Sequence, residues 1–129
     1  VTFSLSKRSL DVLKDVHPDL VKVVRLAIKY TSVDFVVIEG KRTEAKQKKL
    51  VASGASQTMN SRHLTGHAVD LAAWVAGEIR WDWGLYLKLA EGMKQAAKEL
   101  GIKITWGGDW KMRDGPHFEL SWSAYPKSA

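Results

Sequence analysis

Apolar positions recur along the chain with two periods, and their succession predicts most of its elements. Pro18 stands where the first turn of a helix tolerates it, and Leu20, Val24, Ala27 and Ile28 then fall on one face. A short helix capped by Ser9 and running to about Val16 is predicted ahead of it. Asp34 to Ile38 is an apolar, β-branched run that reads as a buried strand ending at Glu39 and Gly40. A basic helical segment follows from about Thr43 to Ala52 and stops at Gly54. Ala68 to Trp74 again favours a strand, and Gly77 predicts a turn into a second extended piece through Arg80. Leu85, Leu89, Met93, Ala96, Ala97 and Leu100 repeat at helical spacing, and Gly101 supplies the stop. Ile102 to Trp106 and His117 to Trp122 are the last two strands, joined by the loop GGDWKMRDGP. This order predicts an α+β fold, a small antiparallel sheet packed against several helices.

Composition adds limits. The 129 residues contain no repeat, low-complexity tract or Gly/Ser/Pro-rich linker, so one domain, residues 1–129, is expected. With 45% apolar and 26% charged residues the chain can bury a real core. Trp74, Trp106 and Trp122 are expected in it, whereas Trp81, Trp83 and Trp110 fall in predicted loops. A net charge of +6 favours anionic partners without choosing among them. The absence of cysteine excludes disulfides, thiol nucleophiles and thiolate metal sites, so any metal must use histidine and carboxylates. No apolar run is long enough for a membrane span or a signal-peptide core, which predicts synthesis in a cytoplasm without a classical signal peptide and no stable membrane insertion.

The segment from Ser61 to Asp70, SRHLTGHAVD, separates a histidine from a strand aspartate by a turn glycine. In an extended strand Asp70 shares its face with Ala68 and Ala72, while Val69, Leu71 and Ala73 face a core. His117 opens a later strand, with Asp114 three residues upstream. His63, Asp70 and His117 together form a His/Asp/His set, which suits zinc and leaves a fourth position for water. Taken singly, each is ordinarily a surface or hydrogen-bonding residue. His63 and His67 have the spacing of a helical zinc motif, but Leu64 occupies the position of its glutamate and Gly66 opposes a helix. His67 therefore reads as a pocket-wall or solvent-facing residue. Glu119 shares the face of His117, as a hydrogen-bond partner or as an exposed strand residue. Asp109 could orient the site, bind a regulatory cation or form a turn. Lys41 to Lys49 reads as a solvated helix face or as an attractor of anionic polymers.

SRHLTGHAVDL resembles the SxHxxGxAxD signature of VanY-like D-alanyl-D-alanine carboxypeptidases and phage L-alanyl-D-glutamate endopeptidases, the LAS-type zinc peptidases. WGGDWKMRDGPHFEL resembles their second motif, DxxHxE, in the expected order, and EGKRTEAKQKKLVASG resembles the segment that carries their arginine. The similarity runs from Asp34 to Leu120. It implies His63, Asp70 and His117 as ligands of Zn2+, Asp114 as general base and Arg42 as electrophilic helper, with the zinc site on the sheet and adjoining loops. Without the resemblance Arg42 could equally be a solvated arginine beside Lys41. The small basic chain is most similar to a phage endolysin, a peptidoglycan hydrolase that cuts the L-alanyl-D-glutamate bond of the cell-wall stem peptide after release from the host and acts as a monomer. Two alternatives remain: a D-alanyl-D-alanine carboxypeptidase, or a non-catalytic module that binds the anionic wall through charge and tryptophans. Nucleic acid is disfavoured, because no helix-turn-helix, cysteine zinc finger or RNP-like stretch accompanies the charge.

Overall fold

The computed structural model describes residues 2–56 and 58–126. Its helices are α1 (Lys7–Val12), α2 (Pro18–Tyr30), α3 (Glu44–Ala52) and α4 (Trp83–Leu100). Its strands are β1 (Phe35–Glu39), β2 (Ala68–Val75), β3 (Glu78–Arg80), β4 (Ile104–Trp106) and β5 (His117–Leu120). The strands form one antiparallel sheet in the order β1-β2-β5-β4, with β3 paired to the far end of β2. The fold is α+β, as the pattern of apolar positions predicts.

Local chemistry explains the main helices. His17 accepts the Asp19 amide at the N-terminus of α2, and Pro18 follows at a position whose missing N–H costs nothing. Thr43 caps α3 by accepting the Lys46 amide. Leu20, Val23, Val24 and Ala27 of α2 pack with Leu89, Met93, Ala96 and Ala97 of α4 and with Val37, Val69, Leu71, Phe118 and Leu120 of the sheet into one buried cluster. Helix α4 comes close to the end of α2 at Gly92, where a β-carbon would lie 3.1 Å from Thr31 Cα.

Several expectations change: Trp83, expected in a loop, opens α4. Ser6, not Ser9, caps α1, which is regular only to Val12 and tightens into a 3-10 turn at Leu13–Asp15. Ser9 lies buried inside the helix and accepts the Val37 amide, tying α1 to β1. Trp106 is buried at 5% exposure, but Trp74 and Trp122 stand 38% and 39% exposed. Trp74 lies where β2 extends beyond β5 to pair with β3, and Trp122 lies past the end of β5, so neither has a covered sheet face above it.

The pairing register sets out the polar face of the sheet. Val69 pairs with Phe118 on the core face, so Asp70 pairs with His117 and Ala68 with Glu119 on the other. A register shift between Val37 and Glu39 inserts one residue into β1 and brings Glu39 opposite Asp70. Glu39, Asp70 and His117 thereby stand in one row across three adjacent strands.

Candidate metal centre

The turn before β2 positions His63. Ser61 caps a 3-10 turn at Arg62–Thr65 by accepting the His63 amide, and Gly66 closes it with φ of 74°. A β-carbon on Gly66 would lie 2.5 Å from the carbonyl oxygen of Asp15, so both the positive φ and the close approach require glycine. His63 is buried beside Asp70 as a result.

Each imidazole has one nitrogen committed and one available. His63 Nδ1 lies 2.7 Å from the carbonyl oxygen of Gly40, which can only accept, so Nδ1 carries the proton. Nε2 is left toward Asp70 Oδ1 at 3.2 Å. His117 reverses the arrangement: Nε2 lies 2.7 Å from the buried Glu119 Oε1, while Nδ1 faces Asp70 Oδ1 at 3.3 Å. The two rings stand 5.0 Å apart at 73°. His63, Asp70 and His117 each present one ligand atom, and these atoms lie within 4.8 Å of one another. Two imidazole nitrogens and a carboxylate oxygen, oriented by a carbonyl and a carboxylate behind them, form a donor set that could hold a divalent metal.

Burial and charge oppose one another at both His117 and Asp70. Burial alone would lower the pKa of His117, but hydrogen bonds to Asp70 and Glu119 and their charges push it up to about 9. Burial would raise the pKa of Asp70, and the hydrogen bonds and charges of His117 and His63 outweigh it, holding the carboxyl well below the ordinary carboxylate range.

Arg42 is no solvated arginine. Its side chain is 9% exposed, with Nε 2.5 Å from Glu39 Oε1, Nη1 donating to Gln47 Oε1 at 2.7 Å and Nη2 at 3.9 Å from Asp70 Oδ2. The Arg42 amide donates to the His63 carbonyl. Gln47 is fully buried and donates to Ser56 Oγ and the Thr58 carbonyl, joining α3 to the next loop.

Asp114 enters from the loop before β5. Its amide donates to the Gly107 carbonyl, and its own carbonyl accepts the His117 amide. Gly107 is pressed against both residues, with a β-carbon there only 2.5 Å from the Asp114 carbonyl oxygen and 3.1 Å from His117 Cβ. Asp114 is exposed at the cleft, yet enough protein surrounds its carboxyl to raise the pKa. Burial is the larger cause and the charge of Asp70 the second, with His117, His63 and Arg42 pulling the other way.

All five residues line one cleft of about 860 Å³, with Trp110, whose ring is 5.0 Å from that of His117, on its wall. His67 is not among them: it is half-buried against His17 and Tyr125, with Nδ1 on Thr65. Asp109 is exposed and paired with Lys94 at 3.0 Å, away from the cleft. Lys48 of the basic helix is exposed and paired with Glu44, while Lys46 reaches Glu39. Gly40, the ion pairing of Glu39 and the buried Gln47 join the site without any mark in its sequence motifs. Each reaches the site through strand register or helix packing, for which a local motif gives no signal.

Comparison with known proteins bears on this arrangement. A profile of the phage L-alanyl-D-glutamate peptidase family matches residues 1–123. The L-alanyl-D-glutamate peptidase of Escherichia phage T5 is 35% identical over 129 residues, covering 97% of this chain and 94% of that protein. That of Listeria phage A118 is 37% identical over 94 residues, 72% of this chain but 32% of the longer relative. Among solved structures, the Serratia marcescens L-Ala D-Glu endopeptidase ChiX superimposes with a TM-score of 0.92 at 49% identity, covering 98% of this chain and 95% of that one. The D,D-dipeptidase VanXYg shares the fold, with a TM-score of 0.57 at 19% identity over 81% of this chain and 50% of that one. The chain belongs to the phage L-alanyl-D-glutamate peptidase family.

Proposed function

We propose that the protein hydrolyses the amide between L-alanine and D-glutamate in the stem peptide of bacterial peptidoglycan, with zinc held by His63, Asp70 and His117. The observation that carries this reading is the convergence of three donor atoms within 4.8 Å, with His63 Nδ1 and His117 Nε2 already engaged by Gly40 and Glu119. Nitrogen and oxygen donors in this number, with no thiolate, fit a catalytic zinc site that keeps a position open.

The chemistry zinc supplies when bound is polarisation of the scissile carbonyl and a lower pKa for water. The protein's own groups do the rest. Asp114, at the cleft beside the His117 strand, accepts the proton of the attacking water and returns it to the amide nitrogen as the C–N bond breaks. Its raised pKa makes it a better base than an ordinary aspartate. Arg42, fixed by Glu39 and Gln47, keeps a permanent positive charge where the carbonyl oxygen becomes negative. Gly40 and Glu119 orient the imidazoles so that His63 Nε2 and His117 Nδ1 face the site.

Chelation followed by readdition of zinc tests the reading. Release of soluble peptide from purified peptidoglycan is expected to stop on chelation and to return with one zinc per chain. Undiminished hydrolysis by metal-free protein would refute it.

A further inference from the structure

We infer that Arg113 reads the free α-carboxylate of the D-glutamyl residue, a proposal that rests on the bond assigned above. Among the described residues three arginines line the cleft: Arg42, Arg62 and Arg113. Arg42 is held by Glu39, Gln47 and Asp70. Arg62 is buried, donates to the Leu120 and Tyr125 carbonyls at 3.0 and 2.6 Å, and lies 3.9 Å from the centre of the Trp122 ring. Arg113 is exposed, and its partner among the described residues is the ring of Trp83, with the guanidinium carbon 4.9 Å from the ring centre. Stacking restrains a guanidinium while leaving its N–H donors free. Arg113 is thus a restrained cation at the cleft with no carboxylate or carbonyl of the described residues to bind.

Its position matches one feature of the substrate. Arg113 precedes Asp114, and both line the cleft. Asp114 delivers a proton to the nitrogen of the D-glutamyl residue. The α-carbon bonded to that nitrogen carries the α-carboxylate, and because the stem continues through the γ-carboxyl, this carboxylate is either free or capped as a carboxamide. A guanidinium fork in the same cleft as the proton donor fits the planar carboxylate through paired, charge-assisted hydrogen bonds. A carboxamide offers it one oxygen and sets N–H against N–H.

The test uses the full chain with its metal and two synthetic stem peptides that differ only at this group, carboxylate or carboxamide. The wild type is expected to favour the carboxylate peptide by about tenfold or more in kcat/KM, mostly through KM. Arg113→Gln is expected to lose that preference by falling on the carboxylate peptide alone, and Arg113→Lys to keep part of it. Because two substrates are compared on one enzyme, any difference in folded fraction cancels. A wild type without preference, a preference that survives Arg113→Gln, or an equal loss on both peptides overturns the role of Arg113. A wild type that cuts both peptides at another bond overturns the bond assignment first, and the proposal with it.

Discussion

His63 and His117 offer different ring nitrogens to the same point in space, because a backbone carbonyl stands behind one and a carboxylate behind the other. Replacing His63, Asp70 or His117 by alanine removes one donor of three, and no neighbouring thiolate can substitute. Each variant is expected to lose its metal on dialysis, whereas His67→Ala, which removes a ring packed on His17 and Tyr125, is expected to retain it. Metal analysis of the four proteins decides this, and a metal-free His67 variant beside a metal-loaded His63 variant would reverse the assignment. Asp114→Asn keeps the shape of the side chain but cannot take a proton. Turnover is expected to fall by about two to four orders of magnitude with metal content unchanged. Near-normal turnover in a metal-loaded Asn variant would place the base elsewhere.

At the scale of elements, the turn that joins His63 to β2 depends on a glycine with two independent constraints. Gly66→Ala would strain a φ of 74° and also drive a β-carbon to 2.5 Å from the Asp15 carbonyl oxygen. Gly77, with φ of 80° and nothing within 4 Å of the same position, isolates the first effect. Gly77→Ala is expected to cost about 1 kcal/mol, and Gly66→Ala clearly more, about 2–4 kcal/mol, with weakened metal retention. Denaturant melts of the two variants compare them, and equal losses would show that the turn can move away from Asp15. The local part of this architecture is legible in the sequence: α2, α4 and β2 follow from periodicity and short spacings, whereas the pairing of the two histidine motifs is expected from the family resemblance. The rest is set by pairing over long distances. The register shift that brings Glu39 opposite Asp70, the buried amide of Gln47 and the use of Ser9 against Val37 depend on which strand or helix lies alongside. Exposed Trp74 and Trp122 have the same origin, since strand-like residues are covered only where a neighbouring element reaches them.

In the whole molecule, α2 and α4 take one face of the sheet into the core, while Glu39, Asp70, His117 and Glu119 share the other at the floor of an open cleft. This division lets the core set the strand register while the polar face is free to carry charge. The net charge of +6 draws the molecule toward an anionic wall at low ionic strength, an attraction that salt screens over about 8 Å at physiological concentration. Contacts inside the cleft are screened less, so charge brings the protein to its polymer and the site selects the bond. Mass spectrometry of the ends produced when zinc-loaded protein digests purified peptidoglycan tests the central claim most directly. New termini are expected to be the carboxyl of L-alanine, still attached to the glycan, and the free amine of D-glutamate. Release of terminal D-alanine, or new ends at any other bond, would contradict the account.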